Sequence, residues 1–151
     1  MASGVRANRR GHTLEKAIKD LLSEEYQQVS PARFFALREL HQAIFAEQCT
    51  IGKDLYGKNR RIDFILYHPQ RWPDCLVIQC KWQASAGSVE EKYPFEVLSI
   101  QRNEFETIIV LDGGGYSNGS EMWLKGQAGK NRLRYVLSLG ELNRFHSQGK
   151  I

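Results

Sequence analysis

"DCLVIQCKWQ", Asp74 to Gln83, opens like a strand made for a core and closes on polar side chains. Cys75 to Ile78 are apolar or nearly so, and they run into Gln79 and Lys81, separated by one position. Side chains alternate across a strand, so Gln79 and Lys81 share one face, while Ile78, Cys80 and Trp82 share the other. An amide and an ammonium aimed the same way from a buried strand need polar company. The preceding stretch "RRIDFILYH", Arg60 to His68, can supply it. There the same alternation groups Arg61, Asp63 and Ile65 opposite Ile62, Phe64 and Leu66. Folded about "HPQRWPD" as a hairpin-like unit, the two strands set Asp63 beside Gln79 and Lys81. A carboxylate, an amide carbonyl and an ammonium converging at a sheet end suit a phosphate plus a divalent metal.

Working outward, "HTLEKAIKDLLSEEYQQ" carries Leu14, Ala17, Ile18, Leu21 and Leu22 at helical spacing. Ser30-Pro31 reads as a cap and first helical position, which predicts a second helix over "PARFFALREL". "AIFAEQCTI" reads as a strand joined to "RRIDFILYH" through the turn-rich "GKDLYGKN". "SVEEKYPFEVLSIQRNEF" reads as helical or irregular, broken by Pro94. "TIIVLD" is a buried strand ended by "GGGYSNGS", followed by a short helix "EMWLKGQAG" and a last segment around "LRYVLSLGELNRF". Together these predict a single α/β domain over residues 1–151, with residues 1–10 as a basic N-terminal arm.

The chain has 151 residues, 42% apolar and 25% charged, which is the balance of an ordinary globular domain that needs no staples. Three cysteines without a CxxC pair point to a reducing compartment, and the four histidines show no zinc-ligand spacing. No apolar run is long enough to span a bilayer, and the N-terminus lacks a signal-peptide core, so a cytoplasmic protein with no membrane partner is expected. The net charge of +4 is modest, but Arg6, Arg9 and Arg10 cluster ahead of the first helix and Arg60 pairs with Arg61. Such local patches bind phosphates, or simply solvate a surface. "DGGGYSNGS" lacks the GxGxxG order of a dinucleotide site, and "KGQAGKN" is not a P-loop.

Asp63, then fifteen residues, then Gln79-Cys80-Lys81, resembles the signature of the PD-(D/E)XK nuclease superfamily. The element order over roughly residues 11 to 111 is similar as well: a leading helix, a three-strand meander, a helical segment and a further strand. The resemblance implies a restriction-endonuclease-like core, a mixed central sheet flanked by helices. It also implies metal-dependent hydrolysis of phosphodiesters in double-stranded DNA. Two positions depart from the family pattern: Ile62 stands where Pro is frequent, and Gln79 where Asp or Glu is usual. Glutamine offers a carbonyl oxygen but no charge, so the missing charge must come from elsewhere. Glu15 borders the apolar stripe of the leading helix and is the candidate, since relatives often carry an acid there.

On this basis Asp63 and Glu15 are expected to hold Mg²⁺, with Gln79 as a neutral ligand or an orienter of bound water. Lys81 would position the attacking water, assist its deprotonation, or stabilise charge on the phosphate. Gln83, Ser85 and Ser88 follow the motif strand directly and are candidate DNA contacts, beside Arg6, Arg9, Arg10, Arg60 and Arg61. Trp82, on the face away from Lys81, is read as core. The runs "RGHTLEKAIKDLL", "RRIDFILYHP" and "CLVIQCKWQASAGSVEEKYPFEV" resemble the small homing endonucleases of cyanobacterial tRNA-gene group I introns that are built on the restriction fold. This likeness implies a long, near-palindromic target and a homo-oligomer, at least a dimer and by resemblance a tetramer. A junction resolvase, a restriction enzyme, or a non-catalytic DNA-binding protein on a nuclease scaffold are the alternatives.

Overall fold

The computed structural model of the protein describes residues 2–83 and 90–151, with side chains from residue 12 onward. A sheet of six strands lies in chain order: β1 (Gln27–Gln28), β2 (Ile44–Lys53), β3 (Asn59–His68), β4 (Trp72–Trp82), β5 (Glu106–Asp112) and β6 (Leu133–Leu137). Strands β2, β3 and β4 form an antiparallel meander, while β1 joins β2, and β5 and β6 extend β4, in parallel. Among the described residues five α-helices accompany it: α1 (Ala2–Leu22), α2 (Phe34–Leu37), α3 (Tyr93–Arg102), α4 (Asn118–Gly126) and α5 (Leu139–Ser147). This is the mixed, helix-flanked sheet that the sequence predicts.

The predicted stripe on α1 is what seats it. Leu14, Ile18, Leu21 and Leu22 are buried and pack with Leu142 of α5 against Phe45, Phe64, Leu66, Leu76, Ile78, Ile108 and Val110. Cys80 and Trp82 pack against the same cluster, so Trp82 belongs to the core side as expected. The opposite face carries two separate apolar clusters. Phe34 of α2 joins Ile44, Ala46, Ile62, Ile65 and Val77 in one, and Tyr93, Val97 and Ile100 of α3 join Leu124, Ile109, Leu111 and Val136 in the other. Gln79 lies opposite Ile109 and two residues beyond Val77, at the seam between them.

Four expectations need correction. "PARFFALREL" is not one helix: 3-10 turns at Pro31–Arg33 and Arg38–Leu40 flank the single turn of α2, and Ser30 makes no side-chain cap. Without that cap bond, the segment follows the fully buried Phe34 and ends at His41, which has φ 54°. Pro94 does not break a helix but sits in the first turn of α3, where the missing N–H has no intrahelical partner to lose. The alternation along β3 does not run straight through: Phe64 and Leu66 face α1, whereas Ile62 joins Ile65 on the other face. The pleat is interrupted between them, at Asp63. The N-terminal basic positions Arg6, Arg9 and Arg10 fall within the backbone of α1.

The loop after β5 is clipped to the end of β4. Gly115 N–H donates to the Gln83 carbonyl at 2.7 Å, and Gln83 N–H donates to the Asp112 carbonyl at 3.0 Å. Gly113 has φ 104°, and a Cβ on it would stand 2.4 Å from the Gln83 carbonyl oxygen. Both conditions demand glycine. Gly113→Ala is therefore expected to cost about 2 kcal/mol or more of stability. Urea unfolding should show a lower midpoint with an unchanged slope, and an unaltered midpoint would contradict the contact.

Candidate active site

The ladder between β3 and β4 stops at Phe64 opposite Ile78, and the next rung would pair Asp63 with Gln79. There side chains replace the backbone partners. Asp63 N–H donates to Gln79 Oε1 at 2.9 Å, and Cys80 N–H donates to Asp63 Oδ2 at 2.7 Å. Meanwhile β4 keeps its parallel pairing with β5 through Gln79, Cys80, Lys81 and Trp82. The two strands thus part where Asp63 and Gln79 meet. On the β2 side, register continuity sets Gln48, with φ 54°, across from Asp63, and the Gln48 side chain helps to lower the Asp63 carboxyl. Asp63 is thus flanked by both neighbouring strands.

Glu15, on α1, is near enough for the Asp63 charge to act on it. Its carboxyl is pushed up from the ordinary range by burial, then by the Asp63 charge and that of Glu47, with His12 opposing. Burial also raises Asp63, and Glu96 adds to this, against the Cys80 N–H bond, the Lys81 charge and the Gln48 bond. The Cys80 thiol is pushed well up by burial and by both carboxylates, which keeps it protonated and removes it as a nucleophile. A carboxylate raised by burial and by the charge of a second one is a group a cation would relieve.

Gln79 and Lys81 do share a face, and what they meet there was not read from the sequence. Gln79 Nε2 donates to Glu96 Oε1 at 3.1 Å, and Lys81 Nζ lies 3.9 Å from Glu96 Oε2. Arg60 Nη2 donates to the same Oε1 at 3.1 Å. Burial would raise Glu96, but the Lys81 and Arg60 charges and the bonds from Arg60 and Gln79 together hold it below the ordinary carboxylate range. Glu96 is therefore an anion set between two cations. Helix α3 is placed for this by its polar side: Leu55 N–H donates to Ser99 Oγ at 3.2 Å, and Arg102 Nη1 donates to the Leu55 carbonyl at 2.9 Å. The available signal was Pro94. A helix starting there sets Glu96, Ser99 and Asn103 along one side and Val97 and Ile100 on another.

Two proposed DNA contacts are spoken for. Arg60 is only 5% exposed and is paired with Glu96, whereas its neighbour Arg61 is exposed. Arg60 lies two positions from buried Ile62, which draws it to the inner face. Gln83 is 2% exposed, donates from Nε2 to Glu90 Oε1 at 3.1 Å and accepts from the Tyr93 hydroxyl, so it anchors α3 instead of facing a ligand. Ser85 and Ser88 lie outside the described residues.

The donor set decides which cation fits. Among the described residues no three His, Cys, Asp or Glu side chains form a ready metal cage. Two carboxylates with amide oxygen nearby nevertheless suit a small hard cation, because Mg²⁺ is usually held by one or two carboxylates together with waters and substrate phosphate. No described helix is long and apolar enough to cross a membrane.

Since the Asp63 carboxyl titrates higher in the folded chain than in the unfolded one, its ionised form costs stability at neutral pH. That cost fades as pH falls through the folded pKa. Asp63→Asn keeps an oxygen for the Cys80 N–H and removes the charge. In EDTA it is expected to melt above the wild type near neutral pH, with the gap closing toward about pH 4. Calorimetry across that range reads it, and a lower midpoint for the variant at neutral pH would count against the raised carboxyl.

Comparison with known proteins gives one finding and two blanks. A family model described as "PD-(D/E)XK nuclease superfamily domain" matches residues 6–148. No curated protein and no solved structure gave a significant match.

Proposed function

The chain belongs to the PD-(D/E)XK nuclease superfamily, and on that footing we propose that it is an endonuclease hydrolysing phosphodiester bonds of double-stranded DNA with Mg²⁺. The observation that supports this reading is the parting of β3 and β4 at Asp63, where the Gln79 amide receives the Asp63 N–H, with the Lys81 charge acting on Asp63 and the Asp63 charge on Glu15. In this proposal Glu15 and Asp63 hold the cation. When bound, it supplies charge neutralisation and Lewis-acid polarisation of the scissile phosphate.

The remaining work falls to the chain's own groups. The Gln79 carbonyl already accepts the Asp63 N–H, so it fixes the backbone that carries the carboxylate and has one lone pair left for a water or the cation. Of the two roles expected for Gln79, orienting is the one its hydrogen bonds favour. Lys81 brings an ammonium to where negative charge grows on the phosphate and can hold the attacking water in line. Arg61 and the basic N-terminal positions Arg6, Arg9 and Arg10 are proposed to position the duplex through its phosphates.

At the finer level we propose a homing endonuclease, on the strength of the sequence runs that resemble that group. One chain carries one such site, so cutting both strands implies at least a dimer with twofold symmetry. The decisive assay is incubation with supercoiled plasmid carrying candidate sites, in Mg²⁺ and in EDTA. Cleavage should require Mg²⁺, return when Mg²⁺ is restored after chelation, and fall about 100-fold or more in Lys81→Ala, with DNA affinity changed only a few-fold. Tight DNA binding with no nicking in any divalent metal would replace the enzyme by a non-catalytic DNA-binding protein.

A further inference from the structure

Lys81 stands at the end of a strand that has lost one neighbour. Beyond the Phe64–Ile78 rung, β3 no longer pairs with β4, so the β3 ladder does not confine a flexible side chain with four rotatable bonds. Its side chain is 29% exposed. Among the described residues Glu96 is its one salt-bridge partner, and Glu96 is itself pinned by Arg60, which is 5% exposed and donates to Oε1 at 3.1 Å. The Gln79 amide donates to the same oxygen at 3.1 Å. The two carboxylate oxygens thus divide the work: Oε1 ties Arg60 and Gln79 together, and Oε2 is turned to the ammonium.

We infer that Glu96 is a positioning residue for the proposed cleavage, acting as a buried clamp that, held by Arg60, fixes where the Lys81 ammonium stands relative to Asp63. The inference rests on the proposed function but reaches beyond it. It assigns Glu96 no contact with DNA or metal, and it moves Arg60 from phosphate binding to holding the clamp. Misplacing a reacting group by about 1 Å can cost about 100-fold in rate, so a clamp of this kind shows in the chemical step and leaves binding alone.

Glu96→Gln separates the two oxygens. The new amide keeps an acceptor for Arg60 and Gln79 but turns an NH₂ group toward Lys81. Three measurements read the outcome. A crystal structure of the variant should show the Lys81 ammonium moved by about 1 Å or more while the Asp63–Cys80 bond persists. The single-turnover cleavage rate at saturating Mg²⁺ should fall between about 10- and 100-fold. DNA affinity, and Ca²⁺ affinity by calorimetric titration, should stay within about twofold of wild type.

An unmoved Lys81 or an undiminished rate overturns the clamp. A Ca²⁺ affinity lost as far as in Asp63→Asn also overturns it, making Glu96 a ligand. Because leaving Arg60 without its anion threatens folding, the double variant Arg60→Leu, Glu96→Gln removes both buried charges, a change that is often close to neutral. The clamp predicts that the double variant melts near wild type and still cleaves slowly. Recovery of rate along with stability would mean the pair only holds the fold together. A wild-type chain that never cuts DNA would refute the proposed function, while the Lys81 position in the variant crystal would still decide the clamp.

Discussion

The structure depends on one exchange of partners. Strand β4 must pair antiparallel with β3 and parallel with β5, and it cannot follow both to its end. It stays with β5. Where β3 is released, two backbone N–H groups would be stranded in a largely buried place, at about 1–3 kcal/mol each if unsatisfied. The Gln79 carbonyl takes one and the Asp63 carboxylate takes the other. Each residue uses its side chain to satisfy the other's strand, so neither can move without leaving a donor bare. The opening between the strands and the groups that line it are thus one feature.

The cost of that opening is met on the far face. Buried polar groups are tolerable only when fully partnered. Gln79 sits at the seam between two apolar clusters, with Arg60 and Glu96 alongside. The Glu96 carboxylate accepts from both Arg60 and Gln79, so it can live where it could not alone, although Arg60 Nη1 is buried without a hydrogen-bond partner among the described residues. On the near face burial outweighs the groups that oppose it, the Cys80 N–H and the Lys81 charge at Asp63 and His12 at Glu15, and both carboxyls are raised. The Glu96 carboxyl is held low and the Glu15 and Asp63 carboxyls are raised. Perturbed carboxyls of this sort cluster at ligand-binding sites.

Much of this was legible in the residues. The α1 stripe, the meander and the shared face of Gln79 and Lys81 follow from periodicity, and Leu14, Ile18, Leu21 and Leu22 are buried as the stripe requires. Alternation failed at Asp63 because its backbone donor and side chain bond across strands in place of the ladder, and a period-two rule has no term for that. The pair Arg60–Arg61 read as one basic patch because adjacent residues look alike in sequence. The strand sends them opposite ways, one to Glu96 and one to solvent. Glu96 escaped notice because it is brought in by α3, whose start at Pro94 was read as a break. Local rules place residues on elements, but only the packing of α3 on the β2–β3 turn shows which element supplies the charge.

Gln79 then ceases to be an anomaly. Were position 79 a carboxylate, it would face Glu96 at the same 3.1 Å. Two like charges that close repel by on the order of 5 kcal/mol even at an effective dielectric of about 20. One of them would take up a proton and lose its charge. An amide avoids the conflict, because its carbonyl end still receives the Asp63 N–H and its NH₂ end welcomes the carboxylate of α3. The neutral residue on the strand and the anion on the helix therefore belong together: with Glu96 fixed beside it, an amide is the side chain at position 79 that can bond in both directions at once.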